Sequence, residues 1–113
     1  MHELSLMEGV LEIIQASADK EGFAHVRRVI LRIGALSGVE PEAMRFCFDS
    51  VVAGTLAEGA ELEILEVPGL GLCQACGRTG AMETRFDPCP HCGMVQMQVT
   101  SGTEMRIEAL DVE

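Results

Sequence analysis

Two short stretches decide how this chain is organised: Cys73-Gln74-Ala75-Cys76-Gly77 and Cys89-Pro90-His91-Cys92-Gly93. In each stretch two residues separate the cysteines, and a glycine follows the second cysteine. This spacing lets one tight turn direct both sulfurs at the same metal ion, and the glycine tolerates the backbone conformation that the turn requires. Together the two pairs predict a closed tetrahedral site of four thiolates, which suits Zn(II).

A four-thiolate zinc site is expected to be structural, because protein sulfurs fill every coordination position and leave none for water. The metal would replace a missing hydrophobic core in a segment of about 25 residues. A rubredoxin-like iron site uses the same ligands and stays an alternative. His91, inside the second stretch, is interpreted as an exposed side chain, and its alternatives are to replace a ligand or to hydrogen-bond a sulfur.

Composition excludes several classes of protein. The 113 residues carry 18 acidic and 8 basic side chains, which gives a net charge of −10. Nucleic acids and anionic membranes attract clustered lysine and arginine, so this balance argues against both. No apolar run approaches a membrane span, and the start Met1-His2-Glu3 is unlike a secretory signal. We therefore expect a cytoplasmic protein, whose thiols stay reduced and whose paired cysteines bind metal.

Hydrophobic periodicity predicts a first helix after residue 4. Ser5 and Glu8 have the spacing of a capping box, and Gly22 is a plausible stop. The apolar face of this helix recurs at spacings of three and four residues and comprises Leu4, Met7, Leu11, Ile14 and Ala18, with Val10 beside them. A second helix is expected to begin at Pro41, just after Glu40. Its apolar face comprises Met44, Cys47, Phe48 and Val51.

Alternating apolar residues predict strands at residues 25–33, 60–67, 95–99 and 103–110. The elements together predict an α+β fold in which a small mixed sheet with two helices carries an inserted four-cysteine zinc-ribbon module. Residues 1–68, completed by the C-terminal strand within 101–113, form the first domain, and residues 69–100 form the zinc-ribbon module. The returning strand leaves open a homodimer formed by strand exchange. Cys47 is interpreted as a buried, inert thiol.

The amino terminus carries a second candidate metal site. Histidine is too large a second residue for removal of the initiator methionine, so Met1 is expected to stay. Its α-amine, the His2 amide nitrogen and the His2 imidazole can chelate one metal, and the Glu3 amide nitrogen can add a fourth donor. Cu(II) and Ni(II) in square-planar fields favour deprotonated amide nitrogens. The competing interpretation is an exposed histidine that binds nothing.

The chain resembles the hydrogenase nickel-insertion accessory proteins of the HypA/HybF family over essentially its whole length. The resemblance rests on four features, namely Met1-His2-Glu3-Leu4-Ser5-Leu6, Ile33-Gly34-Ala35-Leu36-Ser37-Gly38-Val39-Glu40, the two cysteine pairs, and Gly102-Thr103-Glu104-Met105-Arg106-Ile107. Paired cysteines occur in many proteins, but their combination with a terminal Met-His-Glu is specific to this family.

The resemblance implies a metallochaperone that binds Ni(II) transiently and helps to load it into the large subunit of [NiFe]-hydrogenase. It implies that the nickel site is formed by His2 and its neighbouring main-chain nitrogens, from Met1 onward, with Glu3 in support. Some relatives also use an acidic residue just before the second helix, and Glu40 occupies that place. Cys73, Cys76, Cys89 and Cys92 match the structural zinc ligands. Family members work with a GTPase partner, and no GxxxxGK[ST] phosphate loop occurs in this chain.

Two other functions compete with nickel delivery. A zinc-ribbon module that binds protein or nucleic acid is the first alternative, but the arginines form no dense patch and the chain is acidic. A rubredoxin-like redox protein is the second alternative. An enzyme is not expected, because the sequence offers no nucleophile–base pair, paired carboxylates or open metal site.

Overall fold

The computed structural model describes residues 2–113, and its first element is helix α1, His2–Glu21. Its buried residues are Met7, Val10, Ile14 and Ala18, which confirms the predicted apolar face apart from Leu4 and Leu11. The predicted capping box was wrong, because Ser5 lies one turn inside the helix. Residues 2–6 include no glycine, proline or β-branched residue, so nothing stops the helix from extending toward the terminus. Gly22, at φ +82°, ends the helix as predicted.

The second helix and the strand before it follow the predicted pattern. Strand β1, Val26–Gly34, buries Val29, Leu31 and Ile33 on one face. Helix α2, Pro41–Val52, begins with proline after the N-cap residue Glu40. One detail of the predicted face was wrong. Val52 is buried and Val51 only half-buried, because Val52 lies four residues after the buried Phe48 and shares its face.

Strand β2, Glu61–Val67, lies beside β1 in a three-stranded sheet. Arg28 Nε lies 3.8 Å from Glu61 Oε2 near the start of both strands. Near their ends, the Ala35 N–H donates to the Val67 carbonyl at 2.8 Å. The pairing partners advance together along the two strands, so β2 runs parallel to β1.

The C-terminal strand β6, Met105–Val112, occupies the other side of β1, giving the order β2-β1-β6. The Ala24 N–H donates to the Glu113 carbonyl, and the Gly34 N–H donates to the Glu104 carbonyl. The partners advance in opposite directions, so β6 runs antiparallel to β1. The small mixed sheet with a returning last strand is therefore confirmed, although β6 begins two residues later than predicted.

A second sheet surrounds the cysteine pairs. Its strands are β3, Gly69–Cys73; β4, Thr79–Met82; and β5, Met97–Ser101, in the order β4-β3-β5. Both pairings of β3 are antiparallel. The sequence predicted a strand near β5 but little regular structure before it, so β3 and β4 were missed.

Glycines explain why β3 and β4 lack a readable hydrophobic pattern. A methyl group on Gly71 would collide with the Met82 sulfur, and one on Gly80 would lie 2.7 Å from the ring of Pro90. The strands therefore pack through close approach to bare backbone. Apolar alternation, the usual sign of a strand, is absent at these positions.

The chain divides into two compact units. Unit 1 comprises the chain up to Leu31 with Glu40–Leu65 and Ile107–Glu113, and unit 2 comprises Arg32–Val39 and Glu66–Arg106. Within residues 2–113, no helix has the length and apolar character needed to cross a bilayer.

Candidate metal centres

The two cysteine pairs form two nearly identical turns. The Gly77 N–H donates to the Cys73 carbonyl at 2.9 Å, and the Gly93 N–H donates to the Cys89 carbonyl at 2.8 Å. Gly77 has φ +76° and Gly93 has φ +77°, a conformation that residues with a Cβ rarely adopt. The glycine after each pair therefore closes the turn, as the sequence predicted.

The turns bring four sulfurs together. The Sγ atoms of Cys73, Cys76, Cys89 and Cys92 all lie within 4.8 Å of one another. Cys73 Sγ lies 3.6 Å from Cys92 Sγ, and Cys76 Sγ lies 3.7 Å from Cys89 Sγ. A tetrahedral ion with metal–sulfur bonds of about 2.3 Å requires sulfurs about 3.8 Å apart, whereas a disulfide requires about 2.05 Å. The four cysteines are therefore positioned to bind one metal ion.

Main-chain N–H groups stabilise negative charge on these sulfurs. The pKa of the Cys73 thiol lies below its ordinary value, chiefly because the Cys76 N–H donates to its sulfur. Burial pushes the pKa of the Cys89 thiol upward, but N–H groups of Cys92 and His91 and the neighbouring thiols hold it at about 6. Hydrogen bonds from N–H groups to sulfur favour the thiolate form, which is the form that binds a metal ion.

The last thiol of the cluster resists ionisation. The Met94 N–H favours the Cys92 thiolate, but burial and the neighbouring sulfurs outweigh it and raise the pKa of Cys92 to about 11. Four sulfurs this close cannot all carry negative charge unless a cation lies between them. The cluster therefore has the chemistry of a cation site.

His91 is exposed, as predicted, and its imidazole contacts a main-chain carbonyl group. Its Nε2 lies 3.1 Å from the Thr79 carbonyl oxygen, while its main-chain N–H donates to Cys89 Sγ at 3.3 Å. The contact of His91 with the cluster is thus through its backbone.

The amino-terminal candidates meet in unit 1. The Glu40 N–H donates to Glu3 Oε2 at 3.2 Å, and His2 Nδ1 lies 3.6 Å from the same oxygen. Glu40 Oε1 accepts from the Glu42 N–H at 3.3 Å and so caps α2. The structure therefore brings His2, Glu3 and Glu40 together across 37 residues of sequence. Met1, the remaining candidate, lies outside the described residues.

The position of His2 at the start of α1 leaves main-chain donors available. The first N–H groups of a helix have no carbonyl partner one turn earlier, and this applies to His2 and Glu3. The His2 side chain is 62% exposed. An exposed imidazole and two amide nitrogens without helical carbonyl partners thus lie at one helix end.

Sequence reasoning did not connect Cys47 with the amino terminus. The thiol is buried, as predicted, and burial raises its pKa. Its sulfur lies 3.9 Å from the Glu3 carbonyl oxygen and 3.6 Å from the Met44 carbonyl oxygen. A contact between α1 and α2 across 44 residues leaves no signal in the local pattern.

The net charge lies entirely in unit 1. Unit 1 contains 14 acidic and 4 basic side chains, whereas unit 2 contains 4 of each. The excess negative charge therefore lies in the unit that contains the amino-terminal candidates, and it favours the approach of a divalent cation to that unit.

Comparison with known proteins gives a full-length match. The HypA family, described as "Hydrogenase/urease nickel incorporation, metallochaperone", matches residues 1–112. The hydrogenase maturation factor HypA of Rhodopseudomonas palustris (strain BisA53) is 54% identical over 113 residues, covering all of both chains. That of Albidiferax ferrireducens is 56% identical with the same coverage.

Solved structures confirm the fold. The solution structure of the nickel metallochaperone HypA from Helicobacter pylori matches with a TM-score of 0.66 at 20% identity, covering 97% of this chain and 96% of that one. A second HypA solution structure matches with a TM-score of 0.67 at 23% identity, covering 100% and 97%. Together with the full-length sequence matches, these findings show that the chain belongs to the HypA family of nickel-incorporation metallochaperones.

Proposed function

We propose that this chain binds Ni(II) at its amino terminus and assists insertion of nickel into the large subunit of [NiFe]-hydrogenase. The observation that carries the proposal is the meeting of His2, Glu3 and Glu40 at the starts of α1 and α2, in a chain that matches the nickel-incorporation family over residues 1–112. Nickel is the cargo of the protein, so a site at an exposed terminus suits its release.

The donors follow from the chemistry of the terminus. The Met1 α-amine, the His2 amide nitrogen and the His2 imidazole chelate the metal, and the Glu3 amide nitrogen completes a square plane. Supporting this, the His2 and Glu3 N–H groups lie in the first turn of α1, where no helical carbonyl competes for them. Glu3 and Glu40 support the site: the Glu3 carboxylate accepts from the Glu40 N–H, and the Glu40 side chain caps the start of α2.

The four cysteines hold Zn(II) in a structural role. The donor set consists of four thiolates, and the two shortest Sγ–Sγ distances, 3.6 and 3.7 Å, suit bonds of the Zn–S length. All four positions are filled by protein, so this ion supplies folding free energy rather than catalysis. In this proposal residues 1–68 with 101–113 form the nickel-binding domain, and residues 69–100 form the zinc-ribbon module.

The partners follow from the family. The hydrogenase large subunit receives the nickel, and a GTPase partner supplies energy for the transfer. This chain has no phosphate loop of its own. Its negative charge disfavours binding to nucleic acid or to anionic membranes. We place the protein in the cytoplasm and assign it no enzymatic step.

The proposal is tested by adding one residue before Met1 in untagged protein. The added residue moves the α-amine away from His2 and destroys the fused chelate, so we expect tight nickel binding to be lost while zinc content stays unchanged. The matched control carries the same residue after Glu113 and is expected to bind nickel normally. Stoichiometric, tight nickel binding by the N-terminally extended protein would contradict the proposal.

A further inference from the structure

The four cysteines of the cluster divide into two buried and two exposed residues. Cys73 and Cys89, the first cysteine of each turn, are 1% and 2% exposed. Cys76 and Cys92, the second cysteine of each turn, are exposed. Because oxidation of a thiolate follows its exposure, a small oxidant in solution reaches the second cysteine of each turn first.

Each exposed cysteine lies next to a buried cysteine of the other turn. Cys92 Sγ lies 3.6 Å from Cys73 Sγ, and Cys76 Sγ lies 3.7 Å from Cys89 Sγ. A disulfide requires about 2.05 Å, so each pair would have to close by about 1.6 Å. Each close pair thus joins the two turns, and it combines one sulfur that an oxidant reaches with one that completes a disulfide.

Main-chain hydrogen bonds suit the buried sulfurs to the second step of such a reaction. The Cys73 sulfur accepts from the Ala75 and Cys76 N–H groups at 3.4 and 3.5 Å. The Cys89 sulfur accepts from the His91 N–H at 3.3 Å. These hydrogen bonds favour the thiolate, which is the form of cysteine that attacks an oxidised sulfur.

We propose that hydrogen peroxide modifies this cluster, joining Cys76 to Cys89 and Cys92 to Cys73 in two disulfides and releasing the metal ion. The inference rests on the zinc site of the proposed function. In the first step the exposed thiolate attacks the peroxide, an S–O bond forms as the O–O bond breaks, and hydroxide leaves. In the second step the buried thiolate attacks the resulting sulfenic acid, an S–S bond forms, and a second hydroxide leaves.

The reaction consumes two peroxide molecules per chain. Each disulfide takes two electrons from two thiolates, and these electrons reduce one peroxide molecule to two hydroxide ions. Only the thiolate form of cysteine binds a metal ion, so the ion is released as the disulfides form. The disulfides join the same two turns that a shared metal ion joins, and we therefore expect strands β3, β4 and β5 to keep their order.

The test treats the zinc-loaded full chain, with Cys47→Ser to remove the fifth cysteine, with hydrogen peroxide and then digests it with trypsin. Trypsin cuts after Arg78 and Arg85 and so places the two turns on different peptides, 46–78 and 86–106. We expect these peptides to become joined and the zinc to be released in full. The intact mass should lie about 4 Da below that of the reduced metal-free chain, and dithiothreitol should restore zinc binding.

Three further measurements keep the outcomes apart. Zinc content before peroxide is added tests the zinc site itself, so a chain without zinc contradicts the proposed function rather than the cross-link. In the wild-type control, Cys47 is 8% exposed and should stay reduced. Fragmentation of the joined peptides identifies the partner of Cys76. Disulfides within one turn, a bond between Cys76 and Cys92, or zinc retained in excess peroxide would overturn the proposal.

Discussion

Unit 1 buries thirteen of the eighteen apolar residues that form the core of the described chain, whereas unit 2 buries five, and two of these are Cys73 and Cys89. Unit 1 carries the whole net charge of −10, and unit 2 carries none. The two units of this short chain are thus stabilised in different ways. Unit 1 is held by burial of aliphatic side chains, whereas unit 2 has a small apolar core and a cluster of four sulfurs positioned to bind a metal ion.

The largest expected effect comes from breaking the sulfur cluster. Cys89→Ser removes one ligand, and we expect unit 2 to lose both its metal and the order of β3, β4 and β5. Helices α1 and α2 should stay folded, because their buried residues belong to unit 1. Amide hydrogen exchange measures both units at once. Protection of β3 in the metal-free variant would show that the strands hold without the cluster.

The core of unit 1 is the complementary target. Ile14 is 1% exposed, and Ile14→Ala should lower the free energy of unfolding by about 2–5 kcal/mol through lost burial and a new cavity. The neighbouring Ile13, 57% exposed, supplies the matched control, and Ile13→Ala should change stability by less than about 0.5 kcal/mol. Chemical denaturation measures both values. Equal losses would contradict the assignment of the α1 core face.

Substitution of glycine by alanine should change stability in opposite directions in the two units. On Gly71 of β3, a methyl group meets Met82, so Gly71→Ala should destabilise unit 2 by about 1–3 kcal/mol. On Gly9 of α1, a methyl group has no heavy atom within 4 Å, so Gly9→Ala should stabilise unit 1 by about 1 kcal/mol. Thermal unfolding of both variants compares the two changes. A gain in stability from Gly71→Ala would refute the close packing of β3.

The smallest expected effect is a local response to acid. Because the Glu40 N–H donates to it, the Glu3 carboxyl has a pKa below its ordinary value of 4.5. The contribution of this bond to stability is complete above pH 4.5 and is lost as the pH falls through the lowered pKa. The Glu40 amide chemical shift should follow that titration, and it should lose the dependence in Glu3→Ala. If the Glu40 amide chemical shift showed the same pH dependence in the variant, the titrating group would not be Glu3.

Most of unit 1 could be predicted from sequence, because its elements repeat in a period that matches their geometry. The apolar face of α1, the alternation of Val29 and Leu31 in β1, and the proline at the start of α2 are local signals. The start of α1 was misplaced because Ser5 has the residue type of a cap yet lies inside the helix. Local residue preference did not decide that boundary.

Unit 2 and the contacts between helix starts were harder to predict. The cysteine spacing indicated the sulfur cluster, but β3 and β4 pack through glycines and so lack apolar alternation. The hydrogen bond between Glu40 and Glu3 joins residues that only folding brings together. Family resemblance suggested both residues, and only the coordinates show that the Glu40 N–H donates to the Glu3 carboxylate.

The separation of two metals between two units is tested most directly by nickel and zinc content per chain in untagged His2→Ala protein. The imidazole is the only side-chain nitrogen donor proposed for nickel, while the four cysteines proposed to bind zinc all lie in unit 2. We predict one zinc ion per chain and no tightly bound nickel, against one of each in the wild type. Retention of a full equivalent of tightly bound nickel by His2→Ala would contradict the account.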